Sequence, residues 1–231
     1  MARPKKNVEI TEKPARIPEV NKAWLMLKIG NFNGEDSLIV NSIRNKELNW
    51  GDKSLPGNRT KAKEIKSPEE EYENSLYRMP NNPGVYGLPA SGFKKAMATA
   101  ANILRTQGVN ISAAEVKRTL TVAEDPDGGG YVQLHGDPPN MREDIVSIPS
   151  KGKKVPVKRY RAEFKKWYVM LRIAYDADSF GVQDVINLCA RAGTSIGWGE
   201  LRPEKGYSHG MWSIDTNAVS VPKKGSKRGS K

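Results

Sequence analysis

The chain has one cysteine, Cys189, and two histidines, His135 and His209, in 231 residues. A single thiol excludes a disulfide framework and a cysteine-rich zinc site, and it fits a reducing compartment. The two histidines lie far apart and form no HExxH or comparable ligand spacing. No apolar run approaches the roughly 18–20 residues that a membrane span needs. The first twenty residues, MARPKKNVEITEKPARIPEV, lack the apolar stretch of a secretory signal. Acidic residues are the minority, 26 Asp and Glu against 38 Lys and Arg, for a formal charge of +12. We therefore expect a soluble cytoplasmic protein with no metal, cofactor or membrane partner. Its length suits one domain with a real core.

The charge is unevenly spread. The first 22 residues carry six basic and three acidic side chains, net +3, and the last 17 carry five and one, net +4. Residues 150–172 hold nine basic and one acidic, net +8, so the remainder is slightly acidic. The ends read as disordered, because VPKKGSKRGSK has almost nothing to bury. The internal segment, KGKKVPVKRYRAEFKKWYVMLRI, interleaves lysine and arginine with Tyr160, Phe164, Trp167 and Tyr168. Such interleaving suits a groove that tracks a nucleic-acid backbone and stacks its bases; an ordinary strand with a solvated lysine face has the same pattern.

AWLMLKIG (23–30) and SLIVNSI (37–43) read as strands. SPEEEYENSLY starts a helix, with Ser67 as N-cap, Pro68 at the first position and Glu70 as its capping partner, its glutamates forming a solvated face. In GLPASGFKKAMATAANILRTQG, Phe93, Met97, Ala100, Ala101 and Leu104 recur at helical spacing, with Ser91 as N-cap and Gly108 as stop. Residues 114–125 read as a strand and YVQLHG as its return. MREDIVSIP and KWYVMLRIAYD add strands, and FGVQDVINLCARAG a helix stopped by Gly193. A glycine-rich loop, TSIGWGELRPEKG, and a last strand, YSHGMWSI, complete the order. Without the insertions this is β-α-β-β-α-β, an α+β, ferredoxin-like split arrangement of the RRM kind. We expect a disordered basic arm at 1–19 and one domain at 20–215, with insertions near 45–82 and 125–162. A disordered basic tail follows at 216–231.

Three places invite a ligand. The helix entry YGLPASGFKKAM offers free N–H groups to a phosphate, with Lys94 and Lys95 in the first turn. The loop Gly197-Trp198-Gly199, with Arg202, Lys205 and Gly206, allows close backbone approach, and Trp198 serves either as a base platform or as core. The basic segment offers Lys153, Lys154, Lys158, Arg159, Arg161 and Trp167. Cys189, on an apolar helix side, reads as an inert buried thiol. Glu143 or Asp144 in the MRED stretch could approach a metal, and no Ser/His/Asp arrangement stands out, so no catalytic or metal-ligating residue is assigned.

GLPASGFKKAMATAA resembles the helix entry of the RAMP superfamily, CRISPR effector proteins that coat or process guide RNA. INLCARAGTSIGWGELRPEKGYSHGMWSI resembles that superfamily's C-terminal helix, glycine-rich loop and closing strand. Across residues 67–214 the chain is also similar to a group of tailed-phage and prophage proteins. They share the PEEEYENSLY helix, the GLPASGFKKA entry, the MRED stretch and the GWGELRPEKG loop in this order. The RAMP resemblance implies a ferredoxin-like fold and a nucleic-acid groove bordered by Ser91, Lys94, Lys95, Gly197, Gly199 and Lys205. It departs from that pattern in mixing Glu200 and Glu204 with Arg202 and Lys205, and in lacking a histidine-based nuclease centre. The expected function is a non-enzymatic protein that coats single-stranded RNA or DNA and could self-associate along it. A virion or assembly protein, and an endoribonuclease with His209 or His135 as base, are the alternatives. The basic segment, Lys94 and Lys205 are expected to line one continuous groove.

Overall fold

Eleven strands and four α-helices order the described part of the chain. A computed structural model describes residues 21–42, 67–150 and 153–220. The expected arm at 1–19 and the tail beyond Ser220 lie outside those residues. The chain runs β1 (Lys22–Asn31), β2 (Leu38–Val40), α1 (Pro68–Ser75), β3 (Arg78–Met79), β4 (Asn82–Pro89), α2 (Ala90–Thr106) and α3 (Ala113–Thr119). It continues through β5 (Leu120–Ala123), β6 (Tyr131–Gln133), β7 (His135–Gly136), β8 (Asn140–Ser150), β9 (Lys153–Phe164), β10 (Trp167–Asp176), α4 (Val182–Ser195) and β11 (Ser213–Ile214).

The central sheet has the order β11-β1-β10-β5, with every pairing antiparallel. Counted along the β-α-β-β-α-β path β1, α2, β5, β10, α4, β11, the strands lie fourth, first, third, second. The fold is therefore α+β and ferredoxin-like, as the element order implied. Period-two alternation explains the layers. Leu25, Leu27 and Ile29 of β1 and Val169, Leu171 and Ile173 of β10 point one way and are fully buried. They meet Phe93, Met97, Val185 and Leu188 from α2 and α4 in one core. Each such side chain stabilises the fold by about 1.5–3 kcal/mol. The alternate residues of β1 and β10, Trp24, Met26, Lys28, Tyr168, Met170 and Arg172, form the opposite face.

Local chemistry sets the helix ends. The Ser67 hydroxyl accepts the Glu70 N–H at 3.1 Å, and Pro68 opens α1 as expected. Helix α2 starts one residue earlier than Ser91, with Pro89 at the cap and no side-chain capping bond. Lys94 and Lys95 therefore sit in its second turn. Residues 113–119, expected as strand, are helical instead. Ser112 caps this turn by accepting the Glu115 N–H at 3.1 Å, and Glu115 at one end and Lys117 and Arg118 at the other suit the helix dipole. Val116 and Leu120 are four apart, so one buried side fits a helix as well as a strand. Gly193 does not stop α4 but lies inside it, where a Cβ would come within 2.2 Å of the Trp212 carbonyl.

The insertions carry structure of their own. Residues 131–136 do not return along 114–125. β6 pairs with β4, and β7 with β10. The basic run is two strands: β9 forms a long hairpin with β8, reaches β2 at its inner end, and turns at Lys165–Lys166 into β10. The start of the expected tail is also ordered. Thr216–Ala218 form a 3-10 turn, and Ser220 pairs with Met26 along the sheet edge. No helix of the described residues is long and apolar enough to cross a membrane.

Cys189 lies in the core, and burial pushes its thiol up to about 12. The native protein should therefore leave it unmodified by a thiol reagent at pH 8 over hours, and unfolding in guanidinium should release one reactive thiol per chain. Fast modification of native protein would contradict this burial.

Candidate nucleic-acid interface

The entry of α2 and the glycine-rich loop face each other across a cleft of about 480 Å³. Helix α2 presents Gly92, Lys95 and Thr99, and α3 adds Lys117. The loop after α4 presents Gly197, Trp198, Gly199 and Arg202, with Glu200 and Glu204 on its rim. Lys95 and Lys117 are exposed. No side chain caps α2: the Ala90 N–H donates to the Gly130 carbonyl at 2.9 Å, and the Ser91 and Gly92 N–H groups keep their capacity for an anion.

Glycine builds the walls. At Gly92 a Cβ would come within 2.2 Å of the Trp198 indole nitrogen, so only glycine lets the helix sit on that ring. Gly199 has φ +90°, and a Cβ there would come within 2.4 Å of the Ile39 carbonyl. The Glu200 N–H donates to that same carbonyl at 2.9 Å, tying the loop to β2. Arg202 holds the loop in shape. It donates to the Gly199 carbonyl at 3.0 Å and to Glu204 at 2.9 Å.

Of the residues expected at a ligand, Lys95, Gly197, Trp198, Gly199 and Arg202 converge here. Their parts differ from expectation. Trp198 is only 7% exposed and packs on Phe93, ring centroids 6.0 Å apart, and edge-on to Tyr77 at 5.6 Å, so it is floor rather than a stacking platform. Its indole N–H has no hydrogen-bond partner among the described residues. Ser91, Lys94 and Lys205 do not line the cleft. Ser91 and Lys205 are exposed, and Lys94 is half-buried on another side of α2. Lys117 escaped notice because its segment read as a strand.

The basic segment does not form one groove with these residues. Lys153 and Lys154 stand exposed at the outer end of the β8–β9 hairpin. Lys158 pairs with Glu143 at 2.8 Å, Arg159 with Glu71 at 2.9 Å, and Arg161 with Asp144 at 2.9 Å. Alternation along β9 sends Lys158 to one face of the hairpin and Arg159 and Arg161 to the other. Glu71 is thus a buried ion-pair partner, not part of a solvated face. Trp167 is 1% exposed, a core side chain that no base reaches. Glu143 and Asp144 are engaged by cations, and no group of three metal-ligating side chains stands together among the described residues.

His209 belongs to a polar chain. The Ser37 hydroxyl donates to Glu163 at 2.6 Å and lies 3.0 Å from His209 Nδ1, and Arg142 donates to the same Glu163 oxygen at 2.8 Å. A hydroxyl has one proton, so His209 Nδ1 donates and Ser37 accepts. Burial raises the Glu163 pKa, but the Ser37 and Arg142 bonds outweigh it and hold the carboxyl below the ordinary glutamate range. A depressed carboxyl stabilises the fold above its unfolded pKa of about 4.3, and that stability is lost as pH falls through the lower folded value. Thermal midpoints should stay level from about pH 7 to 5 and drop below about pH 4, with a shallower acid drop in Glu163→Gln.

Against this geometry, comparison with known proteins gives a distant structural likeness only. The chain is similar to a chain in a cryo-EM structure of the Type III-B Cmr-beta bound to cognate target RNA. The two share 13% identity with a TM-score of 0.38, over 87% of this chain and 61% of that one. It therefore spans about three fifths of that protein's length. It is also similar to Cmr6 from Pyrococcus furiosus, at 9% identity and a TM-score of 0.39, over 85% of this chain and 100% of that one. No protein-family model matches the chain, and no curated protein matches its sequence.

Proposed function

We propose that the protein binds single-stranded nucleic acid through its sugar–phosphate backbone, in the cleft between α2 and the glycine-rich loop. One observation carries this reading. An uncapped helix entry, two exposed lysines on two helices and a glycine-built wall converge on one open cleft. Peptide N–H groups and lysines recognise phosphates irrespective of base, which suits coating rather than sequence reading. Arg202 sets the loop's shape, and Lys95 and Lys117 supply the charge.

Holding the strand, rather than cutting it, is part of the proposal. Its support is that neither histidine lines the cleft: His209 is engaged with Ser37 at 3.0 Å, and His135 stacks on Tyr168. Filter binding of labelled single-stranded 20-mers at 50 and 300 mM salt tests the reading. Retention at low salt should fall with a slope of about −0.7 per phosphate contact. No retention at low salt would end it.

A further inference from the structure

The outward face of the central sheet carries a second set of groups that the cleft does not use. No helix of the described residues packs there, since α2 and α4 both cover the opposite face. Its aromatic rings lie under cations. Lys28 Nζ sits 4.8 Å from the Tyr168 ring centre and 5.2 Å from that of Phe32, which is 39% exposed. His135 stacks on Tyr168 at 4.8 Å with the rings 13° from parallel. At the far end of β1, Trp24 lies 5.2 Å from Lys22 and 5.6 Å from Arg172. The two groups are six positions apart along the strands, roughly 20 Å.

The backbone makes room for this arrangement. Gly30 is the cross-strand partner of Tyr168, and a Cβ there would come within 2.7 Å of the Tyr168 Cβ. A core-building sheet places apolar side chains on such a face, and an ordinary solvated one places short polar residues there. This one sets rings and long cations around Met26 and Met170, with Asp215 engaging Lys28 at 3.2 Å. The adjoining ends of the chain are themselves basic, so charge argues against either as the cover for a cationic face.

We infer that this face, around Tyr168, His135 and Trp24, stacks unpaired bases of a single strand while Lys22, Lys28 and Arg172 hold its phosphates. Every base has a π-face, so such stacking is tolerant of sequence, and arginine and lysine beside the rings meet the backbone. The inference rests on the proposed function and adds to it a contact with bases that the cleft lacks.

Binding of a thymidine 20-mer and of an abasic 20-mer to the full chain separates the two. Trp24→Ala with Tyr168→Ala should weaken the thymidine strand about 10- to 100-fold and leave the abasic strand within about twofold. Tyr168→Phe, which keeps the ring, should bind as the parent does. Circular dichroism and melting check that each variant is folded. A folded double variant that binds both strands as the parent does, while Lys95→Glu with Lys117→Glu loses both, would overturn the inference and leave the cleft standing. Equal loss on both strands would overturn it too, since bases would then not be what the rings hold. Loss of self-association in ultracentrifugation with thymidine binding unchanged would assign the face to protein contact and overturn it. A parent that binds neither strand would end both readings.

Discussion

Lys95→Glu with Lys117→Glu should weaken single-strand binding at low salt by roughly 30- to 100-fold. Two lysines are replaced by charges that repel phosphate, on two helices that line one cleft. Two lost phosphate contacts should also flatten the salt dependence by about 1.4 in log–log slope. The loss should be uniform across base composition, because backbone contacts carry no sequence information. Both side chains are exposed, so unfolding free energy should stay within about 0.5 kcal/mol of the parent. Lys153→Glu with Lys154→Glu makes the same charge change at the outer end of the hairpin and should alter affinity less than about threefold. If the hairpin pair carried the larger loss, the contact surface would be β8–β9 and not the cleft.

Trp167→Ala should cost about 3–5 kcal/mol of stability, read as a lower urea midpoint with little change in slope. The residue is 1% exposed and belongs to the same core as Leu27, Phe93 and Trp212. Its neighbour Tyr168 lies on the other face, so Tyr168→Ala should cost far less stability. Nucleic-acid affinity per folded molecule should be unchanged in Trp167→Ala. A stable variant with lost binding would put this tryptophan back among ligand contacts.

These two adjacent aromatics show where sequence patterning stops. The alternation of KWYVMLRIAYD reveals a strand and two faces, but not which face meets the helices. That depends on β1, whose Leu25, Leu27 and Ile29 share the side of Val169 and Leu171. The β-α-β-β-α-β order was readable because its two long helices carry apolar residues at helical spacing, as Phe93, Met97 and Leu104 do. Segment 113–119 was not, since a short helix with one buried residue, Val116, has too few turns to show a period. Reading Ser112 with Glu115 as a cap would have recovered it, and Lys117 with it.

Charge was legible as a sum and not as a surface. Residues 150–172 carry net +8, yet Lys158, Arg159 and Arg161 face Glu143, Glu71 and Asp144. Those partners come from α1, 88 residues from Arg159, and from β8, the preceding strand of the hairpin, both outside the counted run, so its own charge sum does not expose the neutralisation. Conversely, among the described residues only Lys95 and Lys117, beyond the self-engaged Arg202, bring cations to the cleft, and glycine at 92 and 199 does as much to shape it as lysine does. The helix-entry and glycine-loop stretches were legible because both pair glycine with bulky neighbours. Their meeting follows from α2 and α4 lying side by side on one sheet face.

Photocrosslinking of a single strand that carries an azidophenacyl group on its phosphorothioate backbone, followed by peptide mass spectrometry, addresses the central claim directly. Crosslinks should fall within residues 90–99, at the 117 turn and within 196–204, and Lys95→Glu with Lys117→Glu should remove them. Crosslinks confined to residues 142–158 of the hairpin, unaffected by that double substitution, would contradict the placement of the strand in the cleft.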